Sequence, residues 1–169
     1  MRWIMVVALF LLLGPTARAA DPSDLAPAPG QAEPDKLAAA RTQIKAGRWA
    51  EAIAELRRVN DARSADWNNL MGYAHRKLTP PDLAAAERHY DAALKLASAH
   101  RGALEYSGEL YLMKGELARA EQRLTDLARV CGGPCEELAD LKRAIDRYKA
   151  NGNKFVAEAK RALFGKVGI

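Results

Sequence analysis

Apolar residues recur at steps of three and four through most of the chain, the spacing that places them on one face of an α-helix. The pattern is clearest over 101–130, where two apolar stripes flank Lys114-Gly115. The stripes consist of Leu104, Gly108, Tyr111 and Leu112, and then of Leu117, Ala120, Leu124 and Leu127. Gly115 can adopt the left-handed conformation that ends a helix. The pattern therefore predicts two packed helices joined by a tight turn, with Gly108 and Ala120 facing each other.

The second stripe has two earlier counterparts, each displaced by 34 residues. They are Leu83, Ala86, Tyr90 and Ala93, and before them Trp49, Ala52, Leu56 and Val59. The first helices also keep a small residue at Ala40, Gly72 and Gly108, although an alternative register uses Met71 in place of Gly72. The middle turn is about two residues longer than the last turn because it contains Pro80-Pro81. The order of large and small residues and the period resemble tetratricopeptide repeat proteins, whose repeat is about 34 residues long.

The resemblance implies an all-α fold, a right-handed α-solenoid of about three helix–turn–helix repeats over 35–63, 64–98 and 99–131. A capping helix at 135–150 would close the 35–150 domain, because a terminal repeat otherwise exposes an apolar face. The stripe that predicts this helix is Leu138, Leu141, Ile145 and Tyr148. The helices are expected at 36–46, 49–60, 65–78, 82–97, 99–114, 116–130 and 136–150.

Residues 1–19 have the pattern of a cleavable signal peptide: Arg2, an apolar run over 3–14, and small residues at Ala17 and Ala19. No cysteine follows the run, so a lipid anchor is not expected; the alternative is a buried N-terminal helix. Residues 20–34 contain four prolines and predict a flexible leader. The interpretation places the domain in the periplasm or outside the cell.

Charge and motif content argue against several functional classes. The formal charge is +5, and removal of Arg2 and Arg18 with a signal peptide leaves +3. No tract of basic residues contains interleaved aromatics, so nucleic acid is not an expected partner. The three histidines lack the spacing of a helical metal site, and no phosphate loop or nucleophile elbow is present. We therefore expect neither an enzyme nor a resident metal or cofactor.

Cys131 and Cys135 are the two cysteines of the chain and lie four residues apart. In an exported protein this spacing predicts a disulfide. A different hypothesis is a thiol-redox or copper(I)-handling protein that uses the same two sulfurs. Both interpretations stay open at this point.

The resemblance also implies where a partner would bind, because the first helices of that family line a concave surface that holds a peptide. By register the residues on this surface are Arg41, Lys45, Asn69, Tyr73, Arg76, Lys77, Glu105, Glu109 and Met113. The N-terminal and middle parts are basic and the C-terminal part is acidic. Asn69 with its neighbouring cations is similar to the family's clamp for the terminal carboxylate of a peptide. The alternative is an ordinary solvated helix face.

Residues 151–169 form a basic tail with an amphipathic stretch. We expect it to fold back onto the capping helix, and the alternative is a weak membrane-surface or partner contact through 154–166. Taken together, the sequence predicts a non-catalytic scaffold or adaptor that binds a protein or peptide partner in the cell envelope.

Overall fold

The computed structural model describes residues 35–156, and within this range the chain forms seven α-helices and no strand. They are α1 (Ala38–Lys45), α2 (Trp49–Val59), α3 (Ala65–Lys77), α4 (Leu83–Leu96), α5 (Arg101–Met113), α6 (Leu117–Cys131) and α7 (Glu136–Ala150). Every predicted helix is present, with ends within two residues of the prediction. The predicted signal peptide (1–19), the leader (20–34) and the part of the tail after Val156 lie outside the described residues.

Helices pack mainly against their neighbours in sequence, most extensively α1 on α2, α3 on α4 and α5 on α6. The first helix of each pair also contacts the next one, so that α1, α3, α5 and α7 lie side by side. This arrangement is consistent with a helical repeat. Each second helix, α2, α4 or α6, packs on the first helix before it and on the one after it. None of the described helices combines the length and the apolar character needed to span a membrane.

The small residues of the repeated stripes are buried in the core. Ala52, Ala86 and Ala120 are fully buried, as are Tyr90 and Leu127 from the same stripes. Two apolar clusters result, one around α1–α3 and one around α4–α7. Each stripe identified in the sequence therefore faces a core, as predicted.

The turns contain glycine and capping residues of the kinds that typically end and begin helices. Gly47 and Gly115 both have positive φ, at +70° and +78°, which glycine adopts without strain. In the longer middle turn, the Asp82 side chain accepts a hydrogen bond of 2.9 Å from the Ala85 amide and so caps α4. The Ser64 hydroxyl caps α3 in the same way, accepting from the Trp67 amide at 3.2 Å.

Glycines of the first helices make room for large side chains. A Cβ atom on Gly72 would lie 2.7 Å from two ring carbons of Tyr90 on α4, which supports the register with Gly72 rather than Met71 at the close contact. The expectation for Gly108 is corrected, because the nearest atoms to a Cβ at that position belong to Leu141 of α7 and not to Ala120. Gly108 therefore leaves room for Leu141 of α7.

We expect Gly72→Ala to lower the free energy of unfolding by roughly 1–3 kcal/mol, because the fully buried Tyr90 ring has little space to move. Urea unfolding followed by circular dichroism measures the effect. Gly133→Ala is the control, since no atom lies within 4 Å of a Cβ there. Equal stability of the two variants would contradict the packing described for α3 and α4.

Candidate functional site

One cavity of about 370 Å³ lies among the first helices, a volume within the range of ligand-binding clefts. All of its lining residues belong to α1, α3, α5, α7 or the residue that precedes α5. They are Arg41, Asp66, Asn69, Leu70, Tyr73, His100, Arg101, Gly102, Glu105, Tyr106, Glu136, Glu137 and Asp140. The row of first helices thus gathers polar side chains from four segments that are far apart in sequence.

Four of the predicted groove residues line this cavity: Arg41, Asn69, Tyr73 and Glu105. The other five, Lys45, Arg76, Lys77, Glu109 and Met113, do not. The sequence prediction missed the contribution of α7, whose first turn and following turn supply Glu136, Glu137 and Asp140. Continuing the register of the first helices onto α7 would have found these acids.

The prediction for Arg76 is corrected, because this residue is not an accessible cation of the groove. Its side chain is buried, and Nη1 lies 2.6 Å from Oε2 of Glu109. The Arg76 Nε donates to the Tyr90 hydroxyl at 3.3 Å. Burial alone would lower the pKa of Arg76, but the Glu109 carboxylate and the tyrosines raise it above its usual value. Arg76 is therefore part of a buried ion pair between α3 and α5.

Two tyrosines of the cavity wall accompany this ion pair. The rings of Tyr73 and Tyr106 lie 4.8 Å apart between centroids. The Arg76 guanidinium carbon is 5.5 Å from the first centroid and 5.6 Å from the second. Both distances are within the range of a cation–π interaction. The wall of the cavity thus already holds one cation against its aromatic rings.

Glu105 and Asn69 are polar side chains in the lining that remain unsatisfied. Glu105 is 8% exposed, and no residue of the described range donates a hydrogen bond or an ion pair to its carboxyl group. Burial, followed by the charges of Glu109, Glu137 and Glu136, raises the pKa of Glu105 to about 8, against the opposing effect of Arg76. Asn69 is 6% exposed, and its Oδ1 is buried without a hydrogen-bond donor among the described residues.

The arginines of the lining are engaged with carboxylates. Arg41 Nη2 lies 3.9 Å from Oδ2 of Asp66, and Arg101 Nε lies 3.6 Å from Oε1 of Glu137. His100 places Nε2 3.0 Å from Oδ1 of Asp66, while its Nδ1 accepts the backbone hydrogen of Ala103 at 3.1 Å. With Nδ1 as an acceptor, Nε2 is the nitrogen that donates to Asp66.

The cavity has an excess of acid. Its lining contains five carboxylic acids (Asp66, Glu105, Glu136, Glu137 and Asp140) and two arginines. The sequence predicted a groove that is basic in its N-terminal and middle parts. The structure differs because Arg76 is paired with Glu109, because Lys45 and Lys77 lie outside the lining, and because α7 adds three acids.

Cys131 and Cys135 form a disulfide between the end of α6 and the start of α7, as one of the two sequence hypotheses expects. Their sulfurs and a carboxylate oxygen of Glu137 lie within 4.8 Å of one another. A metal would require thiolates at these positions, so the copper(I) alternative applies to the reduced pair alone. The disulfide joins α7, and with it one wall of the cavity, to α6.

We expect Arg76→Met to lower the free energy of unfolding by about 3 kcal/mol, because it leaves the Glu109 carboxylate and the Tyr90 hydroxyl without their partner. The adjacent Lys77→Met is the matched control: Lys77 is exposed, and its loss should cost less than about 1 kcal/mol. Denaturant unfolding distinguishes the two. If both variants unfold at the same denaturant concentration as the unmodified protein, Arg76 is not the structural ion described.

The raised pKa of Glu105 predicts a pH dependence of stability. The carboxyl group ionises near 4.5 when unfolded and near 8 when folded, so the unfolded state loses its proton first as pH rises. Stability should therefore fall between pH 4.5 and 8, by an amount on the order of 2–4 kcal/mol. Glu105→Gln should remove this part of the slope in unfolding measurements at pH 5 and 8.5. The exposed Glu51→Gln should leave the slope unchanged; a slope that persists in Glu105→Gln would assign it to another group.

Comparison with known protein families, with curated proteins and with solved structures finds no match to this chain. The resemblance to tetratricopeptide repeats therefore rests on the residues of the three stripes and their spacing. What the chain binds must be inferred from the geometry and charge of the cavity among α1, α3, α5 and α7.

Proposed function

We propose that the chain is a non-catalytic binding protein of the tetratricopeptide-repeat type, which holds a peptide segment of a partner protein at the cavity. The observation that supports this most directly is the composition of the lining, which comes entirely from the row of first helices and the residue that precedes α5. In the family that the sequence resembles, this row is the peptide-binding surface. The proposal includes the right-handed solenoid of three repeats, with α7 acting as both cap and cavity wall.

The proposed place of action is the cell envelope. The disulfide between Cys131 and Cys135 supports an oxidising compartment, because such bonds are rare in the reducing cytosol. The signal-peptide pattern of 1–19 favours the same location. A scaffold or adaptor there would present the cavity to a segment of an envelope protein.

The polar lining suits recognition of a specific segment. Its aromatic rings, Asn69, Glu105 and its ion-paired rim provide directional contacts around a partly open space. A few convergent polar groups in a concave site fix the orientation of a ligand and exclude others.

Site-specific photo-crosslinking tests the proposal in living cells. A benzoylphenylalanine in place of Arg101, an exposed residue of the cavity rim, should crosslink a discrete partner. The matched position is Arg57, which is exposed on α2 and outside the lining. The partner should be captured from 101 at least about tenfold more than from 57.

Capture from 57 alone would place the partner on the second helices and reject the cavity as the binding surface. Absence of any crosslinked protein from 101, with the protein folded and present, would also reject the proposal. Recovery of the crosslinked protein in the cytosolic fraction would contradict the envelope location but not the assignment of the binding surface.

A further inference from the structure

Two groups of the cavity lack a hydrogen-bond donor. Asn69 Oδ1 is a buried acceptor without a donor, and the Glu105 carboxyl has no donor among the described residues. They come from adjacent first helices, α3 and α5, and line the same space. The lining also contains one buried donor without a hydrogen-bond acceptor, Arg41 Nε, which lies 3.3 Å from Oδ2 of Asp35. Buried polar groups in folded proteins are normally hydrogen-bonded, so a ligand that brings donors would satisfy both Asn69 Oδ1 and Glu105.

The charge of the lining specifies the sign of that ligand. The charged groups around Glu105 are Asp66 and Arg76 from α3, Arg41 from α1, Arg101 and Glu109 from its own helix, and Glu136, Glu137 and Asp140 from α7. Several of them are paired: Arg76 with Glu109 at 2.6 Å, Arg41 with Asp66, Arg101 with Glu137, and Asp140 with Arg143. The lining as a whole contains five carboxylic acids and two arginines, and this excess of acid favours a cation over a carboxylate.

The aromatic wall is suited to the same sign of charge. The Tyr73 and Tyr106 rings already interact with the Arg76 guanidinium, and a tyrosine face attracts cations through its quadrupole. Gly102 lies against the Asn69 amide, since a Cβ there would be 3.2 Å from Nδ2. A long cationic side chain that entered the cavity would meet an amide oxygen, a carboxyl group and two rings.

We infer that the cavity binds the cationic end of a lysine or arginine side chain, with Glu105 as its counter-ion and Asn69 Oδ1 as an acceptor. An ammonium or guanidinium group has several hydrogen-bond donors and no acceptor, and both residues lack a donor. The inference rests on the proposed function, since it names the chemistry of the segment that the cavity holds. It replaces the terminal carboxylate that the family resemblance implies.

Binding of a cation should be coupled to loss of a proton. In the empty cavity burial and neighbouring acids keep Glu105 largely protonated at neutral pH, since its pKa is about 8. A cation next to the carboxyl group favours its ionised form. Affinity should therefore increase as pH rises, and near pH 7 each binding event should release close to one proton.

The test uses the full chain and four blocked pentapeptides, acetyl-Gly-Ser-Xaa-Ser-Gly-amide, with lysine, arginine, norleucine or glutamate at Xaa. Calorimetric titration at pH 6.5 and 8.5, in two buffers of different ionisation enthalpy, gives affinity and proton release. The lysine or arginine peptide should bind at least about tenfold more tightly than the norleucine and glutamate peptides at pH 8.5, and about tenfold more tightly at pH 8.5 than at 6.5.

Glu105→Gln should abolish both the preference for the cationic peptide and the dependence on pH, while helix content is unchanged. Glu51→Gln removes the same charge from an exposed position of α2 and should bind as the unmodified protein does. A Glu105→Gln variant that keeps the pH dependence would overturn the assignment of the counter-ion.

Other outcomes separate the inference from the function it rests on. If the glutamate or norleucine peptide binds most tightly, or if none of the four peptides binds, the cation assignment is overturned. Crosslinking from position 101 still decides whether the cavity holds a partner. Pentylamine added alone provides the remaining comparison. If it binds as tightly as the lysine peptide, the cation chemistry stands and the ligand is a small amine, which contradicts the proposed peptide function.

Discussion

The close approach of paired helices at residues with little or no side chain is the constraint on which the rest of the structure depends. Gly72 lies against the Tyr90 ring, and Ala52, Ala86 and Ala120 are fully buried in their pairs. Since interior packing leaves little free space, these contacts set the spacing of the helix pairs. That spacing brings α1, α3, α5 and α7 near enough for their polar side chains to share one cavity.

Sequence periodicity predicts the helices and their buried faces because both depend on local spacing. It also identifies the cavity-lining Arg41, Asn69, Tyr73 and Glu105, since register determines the face of a helix on which a residue lies. It cannot determine how deep a side chain lies between two stacked helices. Arg76 satisfies the predicted register and is nevertheless buried against Glu109, and Gly108 contacts α7 rather than its own partner helix.

The interface between α3 and α5 combines two opposite electrostatic environments. At Arg76 and Glu109 a cation and an anion lie 2.6 Å apart and neutralise each other. About one turn away along α5, Glu105 lines the cavity together with Asn69 and has no ion-pair partner among the described residues. The contact between α3 and α5 therefore contains a buried ion pair on one side and a buried carboxyl group that lines the cavity on the other.

The contribution of α7 to the cavity has a consequence for the evolution of the chain. Repeat proteins commonly lengthen or shorten by whole repeats, because each unit contacts its neighbours alone. Here α7, the last of the described helices, also supplies Glu136, Glu137 and Asp140 to a lining that it shares with α1, α3 and α5. A hairpin inserted before α7 would separate those acids from the other lining residues. The cavity therefore requires α7 to pack directly on α5.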